Sequence, residues 1–204
     1  GLRAACDRVG ALLLFDEVIT GFRLAVGGAT QWFGVQPDLW CFGKVIGGGL
    51  NVGAFGGRAE LMRHLAPLGG VYQAGTLSGN PLATAAGLTA LERLTPEAYA
   101  SLAETASYLA HGMGEALATA GVPAVVPQVG PLVGLFFGPE APTNFDEADQ
   151  LATNGVYPRF FHGLLQRGIA IAPGPYEVLF PSLAHSRADL DATIAAVAEV
   201  AATL

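Results

Sequence analysis

The chain has 204 residues, 51% of them hydrophobic and 13% charged, with a formal net charge of −7. That length suits one large or two small domains. The acidic balance, without a basic run or Lys/Arg interleaved with aromatics, argues against nucleic acid as a partner.

Gly, Pro or charge interrupts every apolar run short of the ~18 residues that a membrane span needs, so no membrane association is expected. The opening GLRAACDRVG lacks the basic-then-apolar order of a signal peptide. Cys6 and Cys41 are far apart and have no CxxC or Cys/His cluster around them. A metal site and a disulfide framework are therefore not expected, and reduced thiols in a cytoplasmic protein are. A mean hydropathy of +0.44 is high for such a chain. It implies a well-filled core or, as expected here, a surface covered by another subunit or segment.

In chain order, residues 2–9 read as a helix. Ala11–Phe15 reads as a buried parallel strand delivering Asp16 and Glu17 to its carboxyl edge. Leu39–Phe42 is a second such run, ending at Gly43-Lys44, and Val52–Phe55 is a third. A loop over Ala74–Asn80 precedes a helix from Pro81 to about Leu94, with proline in the first turn. Thr95-Pro96-Glu97 marks a further helix start. Behind it Leu102, Ala106, Leu109, Met113 and Leu117 share one face, and a domain boundary is expected at about residue 95. Then follow strands at Ala124–Val126 and Leu132–Phe137, a helix near Asp146–Arg167 and a strand at Ile169–Ala172. A last helix, Arg187–Leu204, is capped by Ser186 and buries Leu190, Ile194, Val197 and Ala201. The pattern predicts an α/β first half and an α+β second half.

The segment DLWCFGKVIGGGLNVG (38–53) sets a lone lysine, Lys44, after an apolar strand and before three glycines. An amine near its ordinary pKa of ~10.4 is a poor nucleophile. Burial among apolar groups would free it to condense with an aldehyde, and Gly47-Gly48-Gly49 would let backbone approach a bulky ring. A solvated turn lysine is the competing reading. A P-loop is excluded, because Asp38 stands where its first glycine should be and Val45 follows the lysine. Asp16 lies where α/β sheets gather ligands and suits a protonated pyridine nitrogen; capping or an ion pair is the alternative, and Glu17 is equally a structural partner. In QAGTLSGNP (73–81), Gly75 and Thr76 suit a phosphate oxygen, a weak signal taken alone.

Together FDEVITGFR (15–23), PDLWCFGKVIGGGLNVGAFGGR (37–58) and VYQAGTLSGNP (71–81) resemble the fold-type I pyridoxal-phosphate (PLP) enzymes of aminotransferase class III. Within that family they look most like the aminomutases of glutamate 1-semialdehyde. The likeness continues through RFFHGLLQRGIAIAP (159–173) and SLAHS (182–186). The family chain is about twice as long, so the resemblance is to its carboxyl-terminal half. That implies part of a PLP-binding large domain over 1–95 and a small α+β domain over 96–204.

It also implies PLP or pyridoxamine phosphate as cofactor, a homodimer with the active site at its interface, and glutamate 1-semialdehyde isomerised to 5-aminolevulinate for porphyrin synthesis. Lys44 matches the cofactor-bearing, proton-shuttling lysine, Asp16 the partner of the pyridine nitrogen and Val18 a residue packed on the ring. Gly75 and Thr76 match phosphate ligands given across the dimer interface, and Tyr72 a residue near the cofactor in the same loop. Glu177 matches an acid standing where related aminotransferases have an arginine for a substrate carboxylate, which discourages amino-acid substrates. Around it PYEVLFPS (175–182) differs from the more usual FEAGFMS-like string but keeps the acid. The alternatives are an ω-amino-acid aminotransferase of the same class, or a structural half inactive without the other half. His162 and His185 read as hydrogen-bonded structural groups, His64 and His111 as helix-surface residues, and Arg23 as a packing or salt-bridge residue.

Overall fold

A computed structural model describes residues 1–204, which fall into two units, Gly1–Tyr99 and Ala100–Leu204. The first begins with α1 (Leu2–Val9), closed by left-handed Gly10. Its sheet orders β1 (Leu14–Glu17), β2 (Leu39–Phe42) and β3 (Ala54–Gly57), with β1 parallel and β3 antiparallel to β2. The third strand starts two residues later than the sequence suggests, because its ladder pairs Ala54 with Phe42 and Gly57 with Leu39.

Strand alternation divides the side chains of β1 between two faces. Glu17 is buried against α2 (Gly28–Phe33), where it accepts the amides of Ala29 at 2.8 Å and Thr30 at 2.9 Å. Trp40 donates its indole N–H to Thr30 Oγ1 on the same side. The other face carries Leu14 and Asp16, with Cys41 and Phe55 beside Asp16 in register. Leu14 is 50% and Phe55 49% exposed. The expected burial of the first strand thus holds for one face, since no element of this chain covers the other.

Asp38 pins the start of β2. It accepts Leu13 N–H and Arg3 Nη1, each at 2.7 Å, and pairs with Arg58 Nη1 at 3.0 Å. The Leu13 amide, then the Arg3 guanidinium, holds this carboxyl below the usual aspartate range.

A 3₁₀ turn, Lys44–Gly47, packs on α4 (Pro81–Glu92). Between β3 and α4 lies the short α3 (Ala59–Met62). Asn80 caps α4 by accepting Ala83 N–H at 3.0 Å, and Pro81 occupies its first turn as expected. A Cβ on Gly87 would lie 2.0 Å from Ile46 O, and one on left-handed Gly48 would lie 2.3 Å from Ala86 O. Gly48, within the glycine run, therefore permits close approach to α4.

The helix α5 (Pro96–Thr119) has Thr95 accepting Ala98 N–H at 3.2 Å. Its expected inner face, Leu102, Ala106, Leu109, Met113 and Leu117, is buried throughout. In the second unit that face meets α7 (Val156–Leu165) and α8 (Arg187–Ala201), with Phe160, Leu164 and Val197 fully enclosed. A reciprocal Ser186/Asp189 capping box starts α8.

Three expectations for this half change. The helix over 146–167 is two, α6 (Phe145–Ala152) and α7. Asn154 turns inward, donating to Phe137 O at 2.8 Å and accepting Val156 N–H, while Gly155 takes a φ of 80°. The strands at 124–126 and 132–137 shrink to β4 (Gln128–Val129), β5 (Leu132–Val133) and a Val125–Phe136 bridge. Ile169–Ala172 pairs with no strand, and Ala172 O accepts the Tyr157 hydroxyl instead. No helix is long and apolar enough to cross a membrane.

Candidate cofactor site

Lys44 leaves β2 through Gly43 with a φ of 48°. A left-handed conformation costs a lysine roughly 1–2 kcal/mol relative to a right-handed one, so the contacts of the turn with α4 hold it there. A cavity of about 660 Å³ opens beside it, lined by Lys44, Asn51, Gly75, Ser78 and Thr84 among others. The sequence motif 71–81 and the lysine segment thus border one space within the first unit.

The loop reaches that position by local bonds. Ser78 N–H donates to Gly75 O at 3.0 Å and Asn80 Nδ2 to Leu77 O at 3.1 Å, which folds Gly75–Asn80 over the start of α4. Val18 rests against Gly43, where a Cβ would lie 3.2 Å from Val18 Cγ1. Asp16 sits in register with Cys41, three residues before the lysine, and its Oδ1 accepts Val18 N–H at 3.1 Å. Its neighbour Glu17 is fully engaged with α2, so the adjacent acids have separate tasks: one anchors the fold and the other faces outward.

Thr76 and Tyr72 are exposed and do not border the cavity, and Tyr72 is 81% accessible. Lys44 is also exposed in this chain, where the sequence leads one to expect a shielded amine. Within this chain no element covers the sheet face of Asp16, and the cavity is open. Glu177 belongs to the second unit, where it borders a separate cavity of about 310 Å³ with Leu109, Met113, Ile171, His185 and Val197.

Sequence reasoning missed Asn51, Ser78 and Thr84. Thr84 was legible as the residue one helical turn beyond Asn80, on the side where α4 begins. His185 is hydrogen-bonded as expected, its Nδ1 accepting Ser182 N–H at 3.0 Å; His64 and His111 are exposed, and Arg23 is partly buried. The first cavity fits the volume range of small-ligand sites, and its amine, amide and hydroxyls suit a phosphorylated aldehyde.

A family model described as aminotransferase class III matches residues 1–200. The chain belongs to that family. It is 54% identical over 198 residues to a glutamate-1-semialdehyde 2,1-aminomutase of Syntrophobacter fumaroxidans, covering 96% of this chain and 45% of that relative. A β-phenylalanine aminotransferase from Variovorax paradoxus superposes with a TM-score of 0.86 at 35% identity, over 97% of this chain and 46% of that one. A transaminase solved with PLP bound gives 0.84 at 28% identity, over 99% and 46%. The chain thus spans less than half the length of these class III relatives and has the α/β fold of the matching part of PLP-dependent transaminases and aminomutases.

Proposed function

We propose that this chain is the cofactor-lysine part of an aminomutase that converts glutamate 1-semialdehyde to 5-aminolevulinate, acting in the cytoplasm as a homodimer. The observation that carries the reading is the open cavity beside Lys44, the residue to which the family resemblance assigns the cofactor. The 54% identity to a named aminomutase favours the mutase over its transaminase relatives. On this reading residues 1–95 belong to the large PLP domain and 96–204 to the small one.

PLP or pyridoxamine phosphate, when bound, supplies an electron sink for cleaving a C–H bond. Lys44 Nζ holds the cofactor and carries the proton between substrate carbons. The Asp16 carboxylate pairs with the pyridine nitrogen, and Val18, fixed against Gly43, packs on the ring. Gly75 and Thr76 hold phosphate oxygens of the neighbouring subunit's cofactor, with Tyr72 nearby. The exposure of Leu68, Tyr72, Leu77 and Leu82, each at least 74%, suits a face covered by a second subunit. The Glu177 carboxylate disfavours substrates that present a carboxylate to it.

The test is borohydride reduction after adding PLP, with peptide mapping, on the chain alone and with the amino-terminal segment of the Syntrophobacter relative. Labelling at Lys44 is expected at least in the mixture; its absence in both removes the centre of the proposal. A second reading, a class III ω-amino-acid aminotransferase, draws on the β-phenylalanine aminotransferase likeness. Given glutamate 1-semialdehyde, pyridoxamine-loaded enzyme of that kind turns the aldehyde into an amine, releases a diamino acid with its cofactor left as PLP, and gives no 5-aminolevulinate.

A further inference from the structure

We propose that Tyr176 is a positioning residue for Glu177, fixing the backbone from which that carboxylate borders the cavity of the second unit. The inference rests on the reading of Glu177 as the acid that sets substrate choice. Tyr176 Oη donates to Asp149 Oδ1 at 2.5 Å, and its ring stacks on Phe145 with centroids 6.2 Å apart and planes 12° from parallel. Phe145 and Asp149 lie four residues apart on α6, one above the other on the same face. The helix is itself fixed by Asn144, which accepts Glu147 N–H at 3.0 Å.

On the other side of Glu177, Leu179 exchanges backbone bonds with Val133 at 2.8 and 3.3 Å. The acid is therefore strung between an anchor one residue before it, on α6, and another two residues after it, on β5. Its own amide makes only a long 3.4 Å turn contact to Gly174 O, so the flanking anchors set its place. The Glu177 charge reaches the Tyr157 phenol, which burial first and Glu177 second push above its ordinary pKa.

This clamp is not core packing. Phe145 is 71% and Tyr176 53% exposed, while the core side chains Phe160, Leu164 and Val197 are sealed without them. Tyr176 carries a hydroxyl where the FEAGFMS-like string of the family resemblance has phenylalanine. Removing it keeps the stack on Phe145 and deletes only the bond to Asp149.

The test compares Tyr176→Phe, Asp149→Asn and Glu177→Gln in this chain by amide exchange and by the ring resonance of labelled Tyr157 as Glu177 ionises. For Tyr176→Phe, exchange at Glu177 is expected to rise by up to about tenfold, the equivalent of one lost hydrogen bond, with Leu164 and Val197 unchanged. The Tyr157 response to Glu177 ionisation should fall by at least about half, on the same scale. Asp149→Asn, which keeps an acceptor oxygen for Tyr176, should retain most of both, and Glu177→Gln should abolish the Tyr157 response. Unchanged exchange and response in Tyr176→Phe overturn the inference. The substrate reading is judged separately, with Glu177→Gln in the complete enzyme: gain of L-glutamate as amino donor supports it, and no gain sinks it while the exchange result still decides on Tyr176.

Discussion

The two units solve the problem of staying folded in different ways. The second closes an apolar core of its own, with Phe160, Leu164 and Val197 at 0% exposure between three helices. The first buries few large apolar side chains and instead encloses two carboxylates, Glu17 and Asp38, each satisfied by several donors. Directional polar anchors fix strand ends and a helix start while leaving a sheet face bare, and the bare face is the one with Asp16. The half with the candidate chemistry is thus the half whose packing is least complete in this chain.

That contrast is open to attack at single residues. The largest effect is expected from Phe160→Ala, which should cost about 3–5 kcal/mol through lost transfer energy and a residual cavity. Segment-resolved amide exchange should show the loss in α5, α7 and α8 and leave β1 and β2 unchanged; loss in both units alike would show that they do not fold independently. Glu17→Ala comes next. It strands the amides of Ala29 and Thr30, each a bond to a charged acceptor worth at least about 1.5 kcal/mol, for about 3 kcal/mol in total at the low end. Melting should then begin in α2 and the sheet, and an unchanged first unit would remove the idea that carboxylates hold it.

The smallest effect at neutral pH, and the most specific, concerns Asp38. Its lowered pKa adds stability above the ordinary aspartate range, and that stability is lost as pH falls through the folded-state value. Acid should therefore loosen the first unit as Asp38 takes up its proton. Asp38→Asn should weaken it at neutral pH and flatten this acid dependence, read as the circular-dichroism midpoint against pH.

Local signals were legible in the sequence. Pro81, Thr95-Pro96-Glu97 and Ser186 each mark a helix start where one occurs, because a cap is decided by neighbours a few residues away. The inner face of α5 was legible for the same reason. The break at Asn154-Gly155 was signalled locally by an Asn-Gly pair and overlooked in the helical spacing around it, whereas the bond from Asn154 to the Phe137 carbonyl, distant in sequence, was hidden. Ile169–Ala172 has the composition of a strand, but a ladder needs a partner that no stretch of residues can announce for itself. At the site, the motifs around Lys44 and Gly75 were legible as types, and their sharing of one cavity was not. Nor was the division of labour between Asp16 and Glu17: alternation puts them on opposite faces, but only α2 decides which face closes.

Gly48 and Gly87 have a mechanical consequence. With each lying against a carbonyl of the opposite segment, neither the lysine turn nor the helix can slide or tilt without collision. The turn that carries the lysine and the helix that continues from the Gly75 loop are therefore keyed together like tenon and mortise, and a push on that helix would be felt in the backbone of the turn.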